Sequence, residues 1–319
     1  LLRKEIFMPS TMTHAYMARD IYSKLNKNLK EKFKNQLDEY ITFSQGPDIF
    51  FFYPIIPPFK KCIHVRKFAG VVHRQKVNKL FISLVNDIKR DKDFDKFIFL
   101  AGLVTHYVGD YKCHPLVNYK SWVLEHKSGK KKDYHFLTEA YIDNYILNLK
   151  GEYYKKFRGY KLLKTCKNIK ISNMLDKCFL DVFKEENMSK NYYKSLWNMK
   201  FLFHLIRYDP YKIKRIGYSF LYFILPFLSR DIRYFSYNFN LNDEENNFYL
   251  NLDNSTWFNI KKKEVTYNKS FLDLYKEVVL TSVDMIEKLY DYIYNDNTFD
   301  LESFFGNLSY ANGLPIKDR

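Results

Sequence analysis

Glycine and proline are scarce in this chain, 10 and 9 of its 319 residues. That excludes a collagen-like or glycine-rich chain and argues against an all-β architecture built on many tight turns. Cysteine is scarcer still. Cys62, Cys113, Cys166 and Cys178 form no CxxC pair, which excludes a disulfide scaffold and a cysteine-rich zinc finger. No apolar run reaches the roughly 20 residues that a membrane-spanning helix needs. The longest, Ile216–Ser229, has 14 residues and contains Pro226. It reads as a buried core helix, with an interfacial, lipid-contacting segment as the alternative. The opening LLRKEIF is too short and too charged for a secretory signal, so a cytoplasmic location is expected.

Arginine is also under-used, 11 of the 52 basic residues against 41 lysines. The formal net charge of +16 invites a polyanionic partner. Arginine, however, is the better bidentate phosphate reader. The lysine excess also accompanies an excess of Tyr and Phe, 28 and 29 residues, a joint bias that codon drift alone produces. Most of the positive charge is therefore read as solvated faces, with steering of an anionic substrate as the sharper alternative and peripheral contact with an anionic membrane as a further one.

Apolar spacing is helical almost throughout, and the fold class read from it is all-α. Phe68, Val71, Val72, Val77, Leu80, Phe81, Leu84, Val85 and Ile88 fall on one broad stripe. Helices are expected near 12–25, 28–43, 67–89, 94–112, 132–150, 174–185, 190–207, 214–228 and 270–295, the last with Ser270 as its N-cap. The stretch 231–267 lacks period and reads as irregular surface structure. Chemistry concentrates early, since seven of the eight histidines lie within the first 150 residues. The chain is accordingly divided into a metal-binding core at 8–150 and an additional helical region at 151–319, packed on that core as one domain.

The strongest signal is LVTHYVGDYKCHP, in which His106, Asp110 and His114 are spaced i, i+4, i+8. At about 100° per residue each step advances only about 40°, so all three leave one helix face. Two imidazoles and a carboxylate converging this way make a transition-metal site chemically natural. Pro115 disfavours helical geometry at His114, so His114 is expected at a helix end. His135 and Glu139 repeat the i, i+4 spacing on a predicted helix. Three further candidates are Asp48, presented by the Gly46-Pro47 turn, His73 on a predicted helix, and His14 on the first helix. Each of these, taken alone, reads more readily as a structural residue. Cys113 reads as a bystander.

In this order, MPSTMTH, QGPDIFFFY, HxxxDxxxHP and HxxxE resemble the bacterial zinc-dependent phospholipase C family, which shares its fold with the fungal single-strand-specific zinc nucleases. The resemblance covers about residues 8–150. It implies an all-helical domain with zinc ions in a cleft. Carried over by motif, Asp48, His73, His106 and Asp110 hold one zinc, and His114, His135 and Glu139 a second. His14 and Asp110 contribute to a third, with Asp110 bridging. Two departures stand out. The gap from Asp110 to His114 is four residues where six is common. Residue 1 is Leu, where secreted relatives have a Trp that ligates the third metal. His64 is a rival for the His73 role.

The expected chemistry is phosphodiester hydrolysis, with metal-activated hydroxide attacking phosphorus in line and Asp48 orienting or deprotonating the water. A phospholipid is the expected substrate. The alternatives are a nuclease or nucleotidase acting on nucleic acid, with Phe50–Tyr53 as a base-stacking platform, and a non-catalytic helical protein stabilised by metal. Lysines in HKSGKKKDYH read as a solvated loop or as steering for an anionic substrate.

Overall fold

The computed structural model describes residues 11–54, 59–129, 134–152, 158–205 and 243–316, together with 213, 216 and 217. The apolar segment 216–229 and the lysines 130–132 fall wholly or mostly outside those residues. Among the described residues the chain is all-α apart from one small hairpin, and no helix is long and apolar enough to cross a membrane.

The organising element is α6, Phe94–Ser128. Asp93 caps its start, its side chain accepting from the Asp95 and Lys96 N–H groups, and Gly129 closes its end at φ 63°. Residues 96–110 are buried without a break, which is the signature of a helix surrounded on all sides. Around it pack α1 (Thr11–Lys24), α3 (Leu37–Phe43), α5 (Val77–Asp91), α7 (Tyr134–Leu149), α8 (Ile169–Phe183) and the long α11 (Phe271–Tyr294). Shorter or more peripheral helices complete the set: α2 (Lys27–Phe33), α4 (Phe59–Val72), α9 (Met188–Leu205), α10 (Asn246–Leu250) and α12 (Leu301–Phe305). Ser270 caps α11 as its sequence indicates, in a reciprocal box with Asp273. The four cysteines are free. Much of the aromatic excess is buried, as where Phe33 meets Tyr40, Phe94 and Phe97 edge-on.

Four expectations need correction. The helix expected over 67–89 is two: α4 ends at Val72, and the chain turns through Lys76 at φ 54° before α5. The helix expected over 28–43 is interrupted by a 3-10 turn at Lys34–Gln36. The 231–267 stretch contains strands β1 (Trp257–Asn259) and β2 (Lys262–Tyr267), paired antiparallel with Trp257 opposite Tyr267. Alternation was invisible there because β2 is nearly all solvent-facing and held mainly by Trp257, which packs on Tyr119 of α6. Lastly, α6 does not stop at His114. It runs through Pro115 for 13 further residues to Ser128. Proline removes the bond to the carbonyl four residues back, that of Tyr111. Gly313 lies directly against that carbonyl oxygen, so the freed group is covered by the far end of the chain.

Candidate metal centre

Five segments bring the eight candidate residues together. α1 carries His14, the 3-10 segment Gly46–Phe52 carries Asp48, and the end of α4 presents His73. α6 carries His106, Asp110 and His114, and α7 carries His135 and Glu139. Asp110 is central. Its Oδ1 lies 3.2 Å from His14 Nε2, and its Oδ2 lies 3.3 Å from His106 Nε2, 3.5 Å from His114 Nδ1 and 3.7 Å from His73 Nε2. Asp48 Oδ1 is 3.0 Å from His73 Nε2 and 3.9 Å from His106 Nε2. Glu139 Oε1 is 3.1 Å from His135 Nε2 and 3.4 Å from His114 Nε2. Three groups can each hold a metal ion: His14, His106 and Asp110; Asp48, His73 and His106; His114, His135 and Glu139. His64 lies apart on an exposed face of α4, 2.8 Å from Glu185 Oε2.

The outer hydrogen bonds aim these rings. His73 Nδ1 lies 2.6 Å from the Ala69 carbonyl, His106 Nδ1 3.1 Å from that of Ser44, and His114 Nδ1 2.8 Å from that of Tyr310. A carbonyl only accepts, so in each ring Nδ1 carries a proton and Nε2 is the nitrogen turned to the interior, where a metal would take its lone pair. Seven buried atoms of these residues make no hydrogen bond: Asp48 Oδ1, His73 Nε2, His106 Nε2, Asp110 Oδ2 and Glu139 Oε1, which face other members of the cluster, together with His14 Nδ1 and Glu139 Oε2. Orphaned buried polar atoms each cost about 1–3 kcal/mol, and natural proteins rarely concentrate them. Nitrogen and carboxylate donors in sets of three match what divalent zinc takes at sites that keep a position open.

Charge is arranged accordingly. Burial would raise the Asp110 carboxyl, but His106, His114 and His14 hold it well below the usual carboxylate range. Burial pulls His114 down, yet the charge of Asp110, then Glu139 and the Tyr310 carbonyl, outweigh it and push the imidazole up to about 10. Burial keeps His106 below its ordinary value, whereas Asp110 carries His14 above it despite burial. Glu139 is lowered by His135 and His114 against its own burial. A cavity of about 20 Å³, room for roughly one water, opens beside His14, Asp110, His114 and Glu139. Cys113 lines it too, with burial pushing the thiol far up, so it is no nucleophile. Of the eight residues only His135 is not fully buried, at 30 % side-chain exposure.

Two participants are absent from the residues picked out by sequence. Asp143 stands one further i+4 step beyond Glu139, a signal that was available. Its Oδ1 accepts from Thr13 N–H at 2.9 Å and from the Thr13 hydroxyl at 2.6 Å, tying the first turn of α1, and so His14, to α7. Tyr310 acts through its carbonyl, which has no residue signature at all.

Burial pushes the Asp143 carboxyl up to about 7, against the Thr13 hydrogen bonds. An unfolded Asp titrates near 3.9. Between those values the folded, metal-free protein holds a proton that the unfolded chain has lost. The Asp143 contribution to stability should therefore fall as pH rises through that window and level off above it. Asp143→Asn keeps an acceptor for Thr13 and removes the ionisation. It should flatten this slope and gain up to a few kcal/mol at pH 8, since each tenfold change in proton affinity is worth about 1.4 kcal/mol. Urea unfolding of the metal-free proteins at about pH 5 and pH 8 checks this; a parent-like slope in the variant would refute it.

Comparison with known proteins agrees with this geometry. The family model for zinc-dependent phospholipase C matches residues 13–193, a range that takes in all eight clustered side chains. No curated protein and no solved structure matches the chain. With more than half its length matched, the chain belongs to the zinc-dependent phospholipase C family.

Proposed function

We propose that this protein is a zinc-dependent phosphodiester hydrolase that cleaves phospholipids in the manner of a phospholipase C, with Asp48, His73, His106 and Asp110, and His114, His135 and Glu139, as the two principal zinc-holding sets. His14 joins Asp110 at a third. The observation that supports this best is the set of buried, mutually facing orphan atoms on these residues. Zinc, when bound, supplies a Lewis acid and lowers the pKa of coordinated water toward neutrality.

The chain's own residues do the rest. The Asp48 carboxylate accepts the proton of the attacking water. The water oxygen bonds to phosphorus in line, the bond from phosphorus to the diacylglycerol oxygen breaks, and that departing oxygen takes up the proton Asp48 removed, leaving as diacylglycerol. Ala69, Ser44 and Tyr310 carbonyls keep the His73, His106 and His114 rings from turning as charge develops. The phosphoryl group enters from the partly exposed His135 side.

His106→Ala and Glu139→Ala should each abolish hydrolysis of phosphocholine esters and lower bound zinc; full activity in either variant is incompatible with this function. Phe50–Tyr53 are all buried in the core, so this run offers no face for stacked bases, and phospholipid stands ahead of nucleic acid. One observation favours a non-catalytic, metal-stabilised protein instead, namely the near-complete burial of the cluster. Against it, the set of His114, His135 and Glu139 offers only three protein ligands, where closed structural zinc sites have four. Zinc-loaded protein that hydrolyses neither phosphocholine esters nor single-stranded DNA would decide for the non-catalytic role.

A further inference from the structure

The segment Leu308–Pro315 lies well beyond the family-matched range, yet it touches the candidate centre at two of its ligands. It doubles back on itself, with Leu308 bridged to Pro315 and Ser309 N–H donating to the Leu314 carbonyl at 2.9 Å. At its apex the Tyr310 carbonyl accepts from His114 Nδ1 at 2.8 Å, and the Tyr310 N–H donates to the His73 carbonyl at 3.1 Å. The Tyr310 ring, 1 % exposed, lies 5.1 Å from the His73 ring and 5.8 Å from that of His106.

α6 holds this segment at three further points. Its Tyr107 hydroxyl accepts from the Leu308 N–H at 3.0 Å. Asn118 donates to the Ala311 carbonyl at 2.6 Å. Gly313, at φ +66°, lies against the Tyr111 carbonyl that Pro115 leaves without a helical partner. A side chain at 313 would overlap that oxygen, so the contact is open only to glycine.

We propose that Leu308–Pro315 is a positioning strap of the metal centre. One residue, Tyr310, fixes His114 with Nε2 toward Glu139 and pins the turn after α4 from which His73 projects. The Pro115–Gly313 contact sets the register of the strap on α6. This inference rests on the reading that His73 and His114 hold zinc. Tyr310 touches no substrate and acts through the two imidazoles.

The test uses the full chain and zinc alone as the probe. Zinc affinity is read by competition with a chromophoric chelator, and the hydrogen bond from His114 Nδ1–H to the Tyr310 carbonyl by nitrogen-15 NMR of the metal-free protein. Gly313→Ala, which must lift the strap from Tyr111, should raise the zinc dissociation constant about 10–100-fold, the usual effect of losing an outer partner of a ligating histidine. The variant should also lose the signature of that hydrogen bond. Asn118→Ala should shift both in the same direction by less. Tyr310→Phe retains the ring and both main-chain bonds, and as the conservative variant it should keep the hydrogen bond and bind zinc far more tightly than Gly313→Ala. Folded Gly313→Ala and Asn118→Ala proteins with parental zinc affinity and the parental hydrogen bond would overturn the proposal. If Gly313→Ala fails to fold, Asn118→Ala alone decides. His106→Ala separates the two levels. If it binds zinc as the parent does, the ligand reading fails; if it loses zinc while the strap variants do not, only the strap proposal fails.

Discussion

Asp110→Asn should strip the protein of zinc and of hydrolytic activity together. Four imidazoles, those of His14, His73, His106 and His114, stand within 3.2–3.7 Å of the Asp110 carboxylate in a buried site. The amide is isosteric; it removes the charge and turns one acceptor oxygen into an NH2 donor that no metal can use. A buried cation deprived of one partner is penalised by about 3–5 kcal/mol, or roughly two to four decades in affinity. The same substitution should change the metal-free protein. The Asp110 carboxyl is held well below its ordinary range, so its contribution is present above the unfolded pKa and lost as pH falls through the folded one. The variant should lose stability at neutral pH and show a shallower acid transition. Zinc content after dialysis, hydrolysis of a phosphocholine ester, and acid unfolding followed by circular dichroism measure the three effects. Stoichiometric zinc with full activity would show that Asp110 is not a ligand.

Gly46→Ala should be nearly as damaging, although glycine offers no ligand. Gly46 sits at φ +50°, and a Cβ there would lie 2.5 Å from Cδ2 and Cγ of the His106 ring. Left-handed backbone costs a non-glycine residue about 1–2 kcal/mol, and overpacking adds typically 1–3 kcal/mol. A loss of about 3 kcal/mol in stability is therefore expected. The His106 ring must also move away from the Ser44 carbonyl, or Asp48, two residues on, must move with the turn. Zinc affinity should fall with stability. Denaturant unfolding of the metal-free protein and chelator competition would measure both, and a variant parental in both would show that the turn yields without cost.

Much of the candidate site was legible because its logic is local. An i, i+4, i+8 spacing places His106, Asp110 and His114 on one stripe whatever surrounds the helix, and the same holds for His135 and Glu139. Asp143 extends that second stripe by the same rule. The choice between His64 and His73 illustrates the limit. Nine residues at about 100° each put them on opposite sides of α4. Period alone says that they face apart, but which side faces the centre depends on how α4 packs.

The all-α class, the two stripes of candidate ligands and the Ser270 cap are legible in the sequence, since each follows from residues within a few turns of one another. Tertiary structure alone decided the continuation of α6 through Pro115, the break between α4 and α5, and the recruitment of Tyr310. In the first, Gly313 covers a carbonyl just over two hundred positions earlier in the chain. The second places His73 where its own carbonyl meets the Tyr310 N–H. The third uses a backbone oxygen, which every residue possesses. Main-chain groups carry no identity in the sequence, and only packing selects which of them will aim a histidine.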